Sequence, residues 1–87
     1  MASMQKLLNI KAKYPGSVMV FRQGDFYEVY GADAVIVSQA LGLVMNRSRF
    51  RDPNTIESCG FPVDRKTEYL KRLVSLGYRV AICEPVN

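Results

Sequence analysis

The 87-residue chain contains no histidine. Histidine-dependent catalytic triads, histidine-ligated metals and imidazole acid–base chemistry are therefore excluded. No lysine follows any of the six glycines, so the chain has no phosphate-binding loop of the G-x-x-x-x-G-K type and no ATP site of its own. These absences favour a protein that is not an enzyme and carries no cofactor.

Cysteines and long apolar runs are scarce as well. Cys59 and Cys83 are the only two cysteines, and two thiols without a histidine make no zinc site. We interpret them as buried apolar thiols in a reducing compartment, which predicts a cytoplasmic protein. The longest apolar runs fall far short of the roughly 20 residues that a membrane span needs, and residues 1–6 lack the layout of a signal peptide. We expect no membrane partner.

What the chain does contain is typical of one small globular domain. Hydrophobic residues make up 48% of it and charged residues 23%, which is the composition of an ordinary soluble chain. Twelve Lys and Arg residues against eight Asp and Glu leave a net charge of +4. This excess favours an acidic partner such as nucleic acid. We expect a single domain over residues 1–87.

Glycines and prolines separate the apolar segments and define the predicted elements. The apolar spacing predicts helices over residues 3–14, 33–41 and 64–76, with Asp33 and Asp64 as N-caps. Strands are predicted over residues 17–22, 26–30, 43–51, 55–59 and 78–83. Gly60-Phe61-Pro62 is interpreted as a break between strand and helix. The predicted fold class is α/β (α+β): one mixed sheet of about five strands, flanked by three helices.

The segment Gly24-Asp25-Phe26-Tyr27-Glu28 is the strongest local feature of the sequence. Side chains alternate along a strand, so Phe26 and Glu28 share one face and Tyr27 points to the other. One interpretation is a core aromatic beside an edge charge. The other is an exposed aromatic wedge that enters a base step and unstacks it, with a carboxylate that contacts a base edge.

The same segment resembles the Gly-x-Phe-Tyr-Glu motif of the MutS mismatch-repair proteins, in their N-terminal mismatch-recognition domain, domain I. Further segments resemble that domain in the same order along the chain. They are Lys11-Ala12-Lys13-Tyr14-Pro15, Asp33-Ala34, Ser38-Gln39-Ala40-Leu41-Gly42-Leu43, Cys59-Gly60-Phe61-Pro62 and the stretch from Tyr69 to Glu84. The sequence departs from the family at Asp64, where a histidine is usual, at Pro85, and between Met45 and Glu57.

The resemblance implies a fold and roles for two residues. Phe26 matches the phenylalanine that stacks on a mispaired or unpaired base from the minor groove, and Glu28 matches the glutamate that hydrogen-bonds that base. The implied partner is double-stranded DNA with a mismatch or an unpaired base, in a nucleoid-associated protein. The remaining MutS domains, or another larger parent chain, are further possible partners.

Arg47, Arg49 and Arg51 recur at every second position, so a strand would place all three on one face with Phe50 opposite. They form either a row of phosphate contacts or the solvated face of an edge strand. The other basic side chains are interpreted as the solvated sides of helices: Lys6, Lys11, Lys13, Lys71 and Arg72.

The sequence therefore predicts a non-catalytic DNA-binding domain that recognises mispaired or unpaired bases. Two alternatives stay open. The first is a module with the same fold that reads branched or single-stranded nucleic acid. The second is a protein-interaction domain of a larger multidomain protein, which burial of Phe26 would favour.

Overall fold

A computed structural model describes residues 4–46 and 56–84 of the chain. Its helices are α1 (Met4–Ala12), α2 (Gly31–Leu41) and α3 (Lys66–Ser75), and a 3-10 turn at Val63–Arg65 precedes α3. Its strands are β1 (Val18–Gln23), β2 (Phe26–Tyr30), β3 (Ser58–Pro62) and β4 (Val80–Cys83). These residues form a single α+β domain, as the sequence predicts.

Within the described residues the sheet has four strands in the order β3-β2-β1-β4. β2 pairs antiparallel with both β1 and β3, and β1 pairs parallel with β4. The prediction of about five strands is one too many, because Leu43–Met45 does not form a strand and only Asn46 makes an isolated bridge, to Ser58. The rest of that predicted hairpin, residues 47–55, lies outside the described residues.

The predicted break at Gly60-Phe61-Pro62 is wrong, because these three residues complete β3. β3 is an edge strand of the described sheet, and Pro62 occupies its last position. A proline is tolerated there because its missing N–H interrupts no central ladder.

The main hydrophobic core lies between one face of the sheet and helices α2 and α3. Strand alternation sends every second side chain of β1 and β2 to this face. The buried members of the cluster are Val18, Val20, Tyr27, Val29, Ala34, Val37, Leu41, Cys59, Phe61 and Leu73. Burial of this set is the main source of free energy for folding.

Helix α1 packs on the opposite face of the sheet. Leu7 of α1 forms a second, smaller cluster with Met19 and Phe21, the β1 residues that alternate with the main core. Tyr30 packs against the edge of this cluster. Among the elements within residues 4–46 and 56–84, α2 and α3 therefore cover one side of the sheet and the short helix α1 covers part of the other.

The sequence-based roles of Lys11 and Asp33 are both wrong. Lys11 is not only a solvated side chain, because its Nζ lies 2.8 Å from the Asp33 carboxylate and also donates to the Ser17 carbonyl. Asp33 is not an N-cap, because α2 already begins at Gly31, whose φ of +63° lets β2 turn directly into the helix. Instead, buried Asp33 accepts a hydrogen bond of 3.0 Å from the Met19 backbone N–H.

Asp64 does not cap α3 either, since no side chain caps the 3-10 turn or the helix that follows it. Gly42 ends α2 as predicted, in the left-handed conformation with its N–H donating to the Ser38 carbonyl. None of the helices within residues 4–46 and 56–84 combines the length and the apolar character needed to cross a membrane.

We expect Asp33→Ala to lower the free energy of unfolding by about 2–3 kcal/mol, because it leaves the Met19 N–H without an acceptor and Lys11 without its counter-charge. The measurement is urea unfolding at neutral pH. Glu68→Ala is the matched control, because Glu68 is also a first-turn carboxylate with a basic partner, Arg65, but is exposed to solvent. Equal losses in the two variants would contradict the role given to Asp33.

Candidate nucleic-acid interface

The β1–β2 hairpin sets the position of the site. Its two-residue loop is Gly24-Asp25, and Gly24 has a φ of +63° at the first loop position, where type II′ turns take glycine. The Asp25 carbonyl accepts a hydrogen bond of 2.9 Å from the Val63 N–H, which ties the loop to the end of β3. The residue that follows this fixed turn is Phe26.

Phe26 is 50% exposed at the start of β2. In the strand register it lies opposite Gln23 of β1 and Pro62 of β3. Between these neighbours half of the ring stays exposed, and the Gln23 amide donates a hydrogen bond to the Tyr30 hydroxyl. A large aromatic side chain is thus presented to solvent from a rigid hairpin.

Tyr27 shows why Phe26 faces outward. Its ring is 2% exposed and packs against Phe61, with 5.6 Å between the two ring centroids. The Lys66 ammonium lies 5.8 Å from the centroid of the Tyr27 ring. Its hydroxyl donates to Glu84 at 3.3 Å. Because Tyr27 fills the core, its neighbours Phe26 and Glu28 must point to the other face.

Glu28 lies two residues further along that face. Its register partners are Phe21 in β1 and Gly60 in β3, and Tyr30 follows on its own strand. Partial burial in these surroundings raises the pKa of the Glu28 carboxyl above its ordinary value of 4.5. No hydrogen-bond donor or cation within residues 4–46 and 56–84 pairs with this carboxylate, so its oxygens are available to a ligand.

We use the term open patch for Gln23, Phe26, Glu28, Gly60 and Pro62. All five lie on the sheet face that α1 shares; Phe26 and Pro62 are exposed and the other three are partly exposed, whereas Met19 and Phe21 under α1 are buried. The open patch is therefore the part of that face left accessible beyond α1.

The Cys59 thiol does not supply a nucleophile to this site. Cys59 is fully buried, its Sγ donates to the Ala34 carbonyl, and burial together with the charge of Glu28 raises its pKa to about 11. A thiol with so high a pKa stays protonated and is a poor nucleophile at neutral pH. In the described part of the chain, no three His, Cys, Asp or Glu residues cluster closely enough to hold a metal ion.

The structure brings Phe26 and Glu28 together on the open patch, while Arg47, Arg49 and Arg51 lie outside the described residues. Sequence reasoning missed Gln23, Gly60 and Pro62 as neighbours of the pair. A glycine between cysteine and phenylalanine could have been interpreted as a close approach of two strands, which is a common reason for glycine inside a strand.

The fold and the open patch define a class: a small α+β domain that presents, on one accessible sheet face, an aromatic ring and a carboxylate with no partner among the described residues. Comparison with known proteins gives the family. The family model for MutS domain I matches residues 1–87, and the chain belongs to this family.

Curated relatives agree with this assignment. The chain is 44% identical over 84 residues to the DNA mismatch repair protein MutS of Bradyrhizobium sp. (strain ORS 278), which covers 97% of the chain and 9% of that protein. It is 46% identical to the protein of the same name from Azorhizobium caulinodans and 44% identical to that from Bacteroides thetaiotaomicron, each over 97% of the chain. The chain thus spans about a tenth of the length of these relatives.

We expect Glu28→Gln to stabilise the domain at neutral pH by at most about 1 kcal/mol, because it removes a partly desolvated charge that solvent still screens. A raised pKa means that the folded state binds the proton more tightly than the unfolded state. The free energy of unfolding of the wild-type chain therefore falls as pH rises through the pKa of Glu28. Below about pH 4.5, where the carboxyl is protonated in both states, the wild type and Glu28→Gln should be equally stable.

The measurement is urea unfolding of both proteins from pH 4 to pH 8. Glu84→Gln serves as the control, because that carboxylate lies within 4 Å of Arg22 and Lys66 and its loss should bring no gain. A Glu28→Gln variant that is less stable than wild type at pH 7.5 would show that the carboxylate has a stabilising partner.

Proposed function

We propose that this domain binds double-stranded DNA at mispaired or unpaired bases, as a non-catalytic recognition domain of mismatch repair. In this proposal Phe26 enters the base stack from the minor groove and Glu28 contacts the base beside it. The observation that carries the proposal is the half-exposed Phe26 ring next to a partly buried carboxylate that has no donor in the described part of the chain. Membership of the MutS domain I family supports it.

The energetics of stacking explain how one phenylalanine could select defective base steps. Stacking of a base on an aromatic side chain is worth about 1–3 kcal/mol and depends little on sequence. Opening a base step costs a few kcal/mol, and the cost is lowest where pairing is already defective. Insertion of the ring is therefore favourable at a mismatch, where stacking outweighs the cost of opening the step, and unfavourable in matched DNA. Phe26 suits this role because the fixed hairpin presents its ring without a large ordering cost.

The environment of Glu28 matches contact with a base rather than with a phosphate. An ionised carboxylate only accepts hydrogen bonds, whereas a protonated carboxyl also donates one. Burial already raises the pKa of Glu28, and the negative potential of the DNA phosphates would raise it further. Glu28 could thus hold a proton at the base edge and bind either a donor or an acceptor there.

The basic residues would supply affinity without sequence preference. Residues 47–55 contain three of the twelve basic residues of the chain, Arg47, Arg49 and Arg51, and we propose that these contact the phosphate backbone. So few phosphate contacts predict weak binding, with a dissociation constant of about 10⁻⁴–10⁻⁶ M that rises steeply with salt.

The two alternatives make different predictions for the same surface. A protein-interaction domain without DNA contact would be favoured by burial of Phe26, whereas the ring is half exposed. A module for branched or single-stranded DNA would use the same exposed ring. Titration of several DNA structures in parallel separates this second possibility from mismatch binding.

We expect Phe26→Ala to weaken binding to a mismatched duplex by about 5- to 150-fold, the equivalent of one lost stacking contact, and to leave binding to the matched duplex unchanged. The measurement is fluorescence anisotropy at low salt with mismatched, matched, single-stranded and junction DNA.

Val74→Ala is the matched control, because Val74 is also an exposed apolar side chain but lies on α3, against the opposite face of the sheet. If Phe26→Ala bound both duplexes as tightly as the wild-type chain does, the wedge would be disproved. Preference of the wild-type chain for junction or single-stranded DNA over the mismatch would favour the alternative module.

A further inference from the structure

The backbone conformation at position 60 does not require a glycine. Gly60 lies in the middle of β3 and does not have a positive φ, unlike Gly24 and Gly31. Glycine inside a strand is unfavourable because it adds conformational entropy to the unfolded chain and packs no side chain. Its presence at this position therefore needs another physical reason.

The reason lies on the neighbouring strand. A Cβ atom added to Gly60 would lie 2.9 Å from Glu28 Oε2, 3.2 Å from Glu28 Cδ and 2.8 Å from the Tyr27 carbonyl oxygen. All three distances are shorter than ordinary van der Waals contact. The Tyr27 carbonyl oxygen and the Glu28 carboxylate thus together occupy the space that a side chain at position 60 would fill.

The surroundings of Glu28 indicate that steric confinement by its neighbours, and not a hydrogen bond or an ion pair, holds this carboxylate. On the shared face its strand neighbours are Phe21, Phe26 and Tyr30, and Gly60 lies on the remaining side. Within residues 4–46 and 56–84 no group donates a hydrogen bond to it. A carboxylate without a partner would otherwise turn into solvent. Because aromatic residues occupy the other three sides, the carboxylate lies in the space beside Gly60.

We propose that Gly60 is a positioning residue: its missing side chain forms the slot that holds the Glu28 carboxylate flat against β3, beside Phe26. The role in recognition rests on the proposed function, because it assumes that Glu28 contacts a base. The slot itself is a property of the free protein and is testable without DNA.

The first test is nuclear magnetic resonance of the free wild-type chain. The slot predicts a nuclear Overhauser contact between the γ-methylene protons of Glu28, next to its carboxylate, and the Hα protons of Gly60, and its absence would overturn the proposal. This measurement needs no variant, so it decides the question even if a substitution at position 60 prevents folding.

The second test is titration of the Glu28 carboxyl in Gly60→Ala. Within the described part of the chain, Glu28 interacts electrostatically with Tyr30 on its own strand and with Cys59 on β3. We expect the pKa of Glu28 to fall toward 4.5, because the displaced carboxylate gains solvent, and the pKa of Cys59 to fall below its value of about 11. Gly16→Ala is the control, because nothing lies within 4 Å of a Cβ at Gly16. An unchanged Glu28 pKa in folded Gly60→Ala would contradict the slot.

The third test is a double-mutant cycle in DNA binding. Gly60→Ala should reduce the ratio of mismatched to matched affinity by about fivefold, the value of one hydrogen bond, and should have no further effect on that ratio in a Glu28→Ala background. The same loss in both backgrounds would make Gly60 merely structural. If the wild-type chain bound mismatched and matched duplexes equally, the proposed function would be wrong. The two measurements on the free protein would still show whether the slot exists.

Discussion

The burial of Tyr27 controls which side chains of β2 reach solvent. Its ring packs against Phe61, its hydroxyl bonds Glu84, and the Lys66 ammonium lies over it, so the strand cannot turn over without losing all three contacts. A slip of one residue in a strand exchanges its two faces completely. With Tyr27 fixed in the core, Phe26 and Glu28 are fixed on the opposite face, and every functional argument depends on that placement.

The accessible face persists because the second layer of the domain is small. One short helix covers only part of the sheet, and the Lys11–Asp33 pair ties that helix to α2. The open patch therefore contains two side chains whose positions are unfavourable in free energy. Phe26 leaves half of an apolar ring in water, and Glu28 holds a charge that burial penalises. Such features are common at functional sites, where a ligand supplies the missing interactions.

Much of the fold was predictable from the sequence, and the failures have identifiable physical causes. Periodicity and glycines locate all three helices and the strands β1, β2 and β4, because each has a clear apolar pattern, whereas the predicted strand over residues 55–59 contains only the first two residues of β3. Asp33 was misassigned because its partners, Lys11 and the Met19 N–H, are distant in sequence and only tertiary structure brings them together. The sequence predicts a break at Gly60 because a close approach between strands leaves no local pattern. The pair Phe26 and Glu28 was predictable, since alternation alone puts them on one face.

The most direct test of the central claim uses the absence of tryptophan from the chain. Phe26→Trp creates a single indole at the tip of the proposed wedge, and stacking on a base changes its fluorescence. The account predicts strong quenching on titration with a mismatched duplex and little change with the matched duplex at the same fraction bound. Equal fluorescence in the two saturated complexes would contradict the claim that this face inserts an aromatic ring at the mismatch.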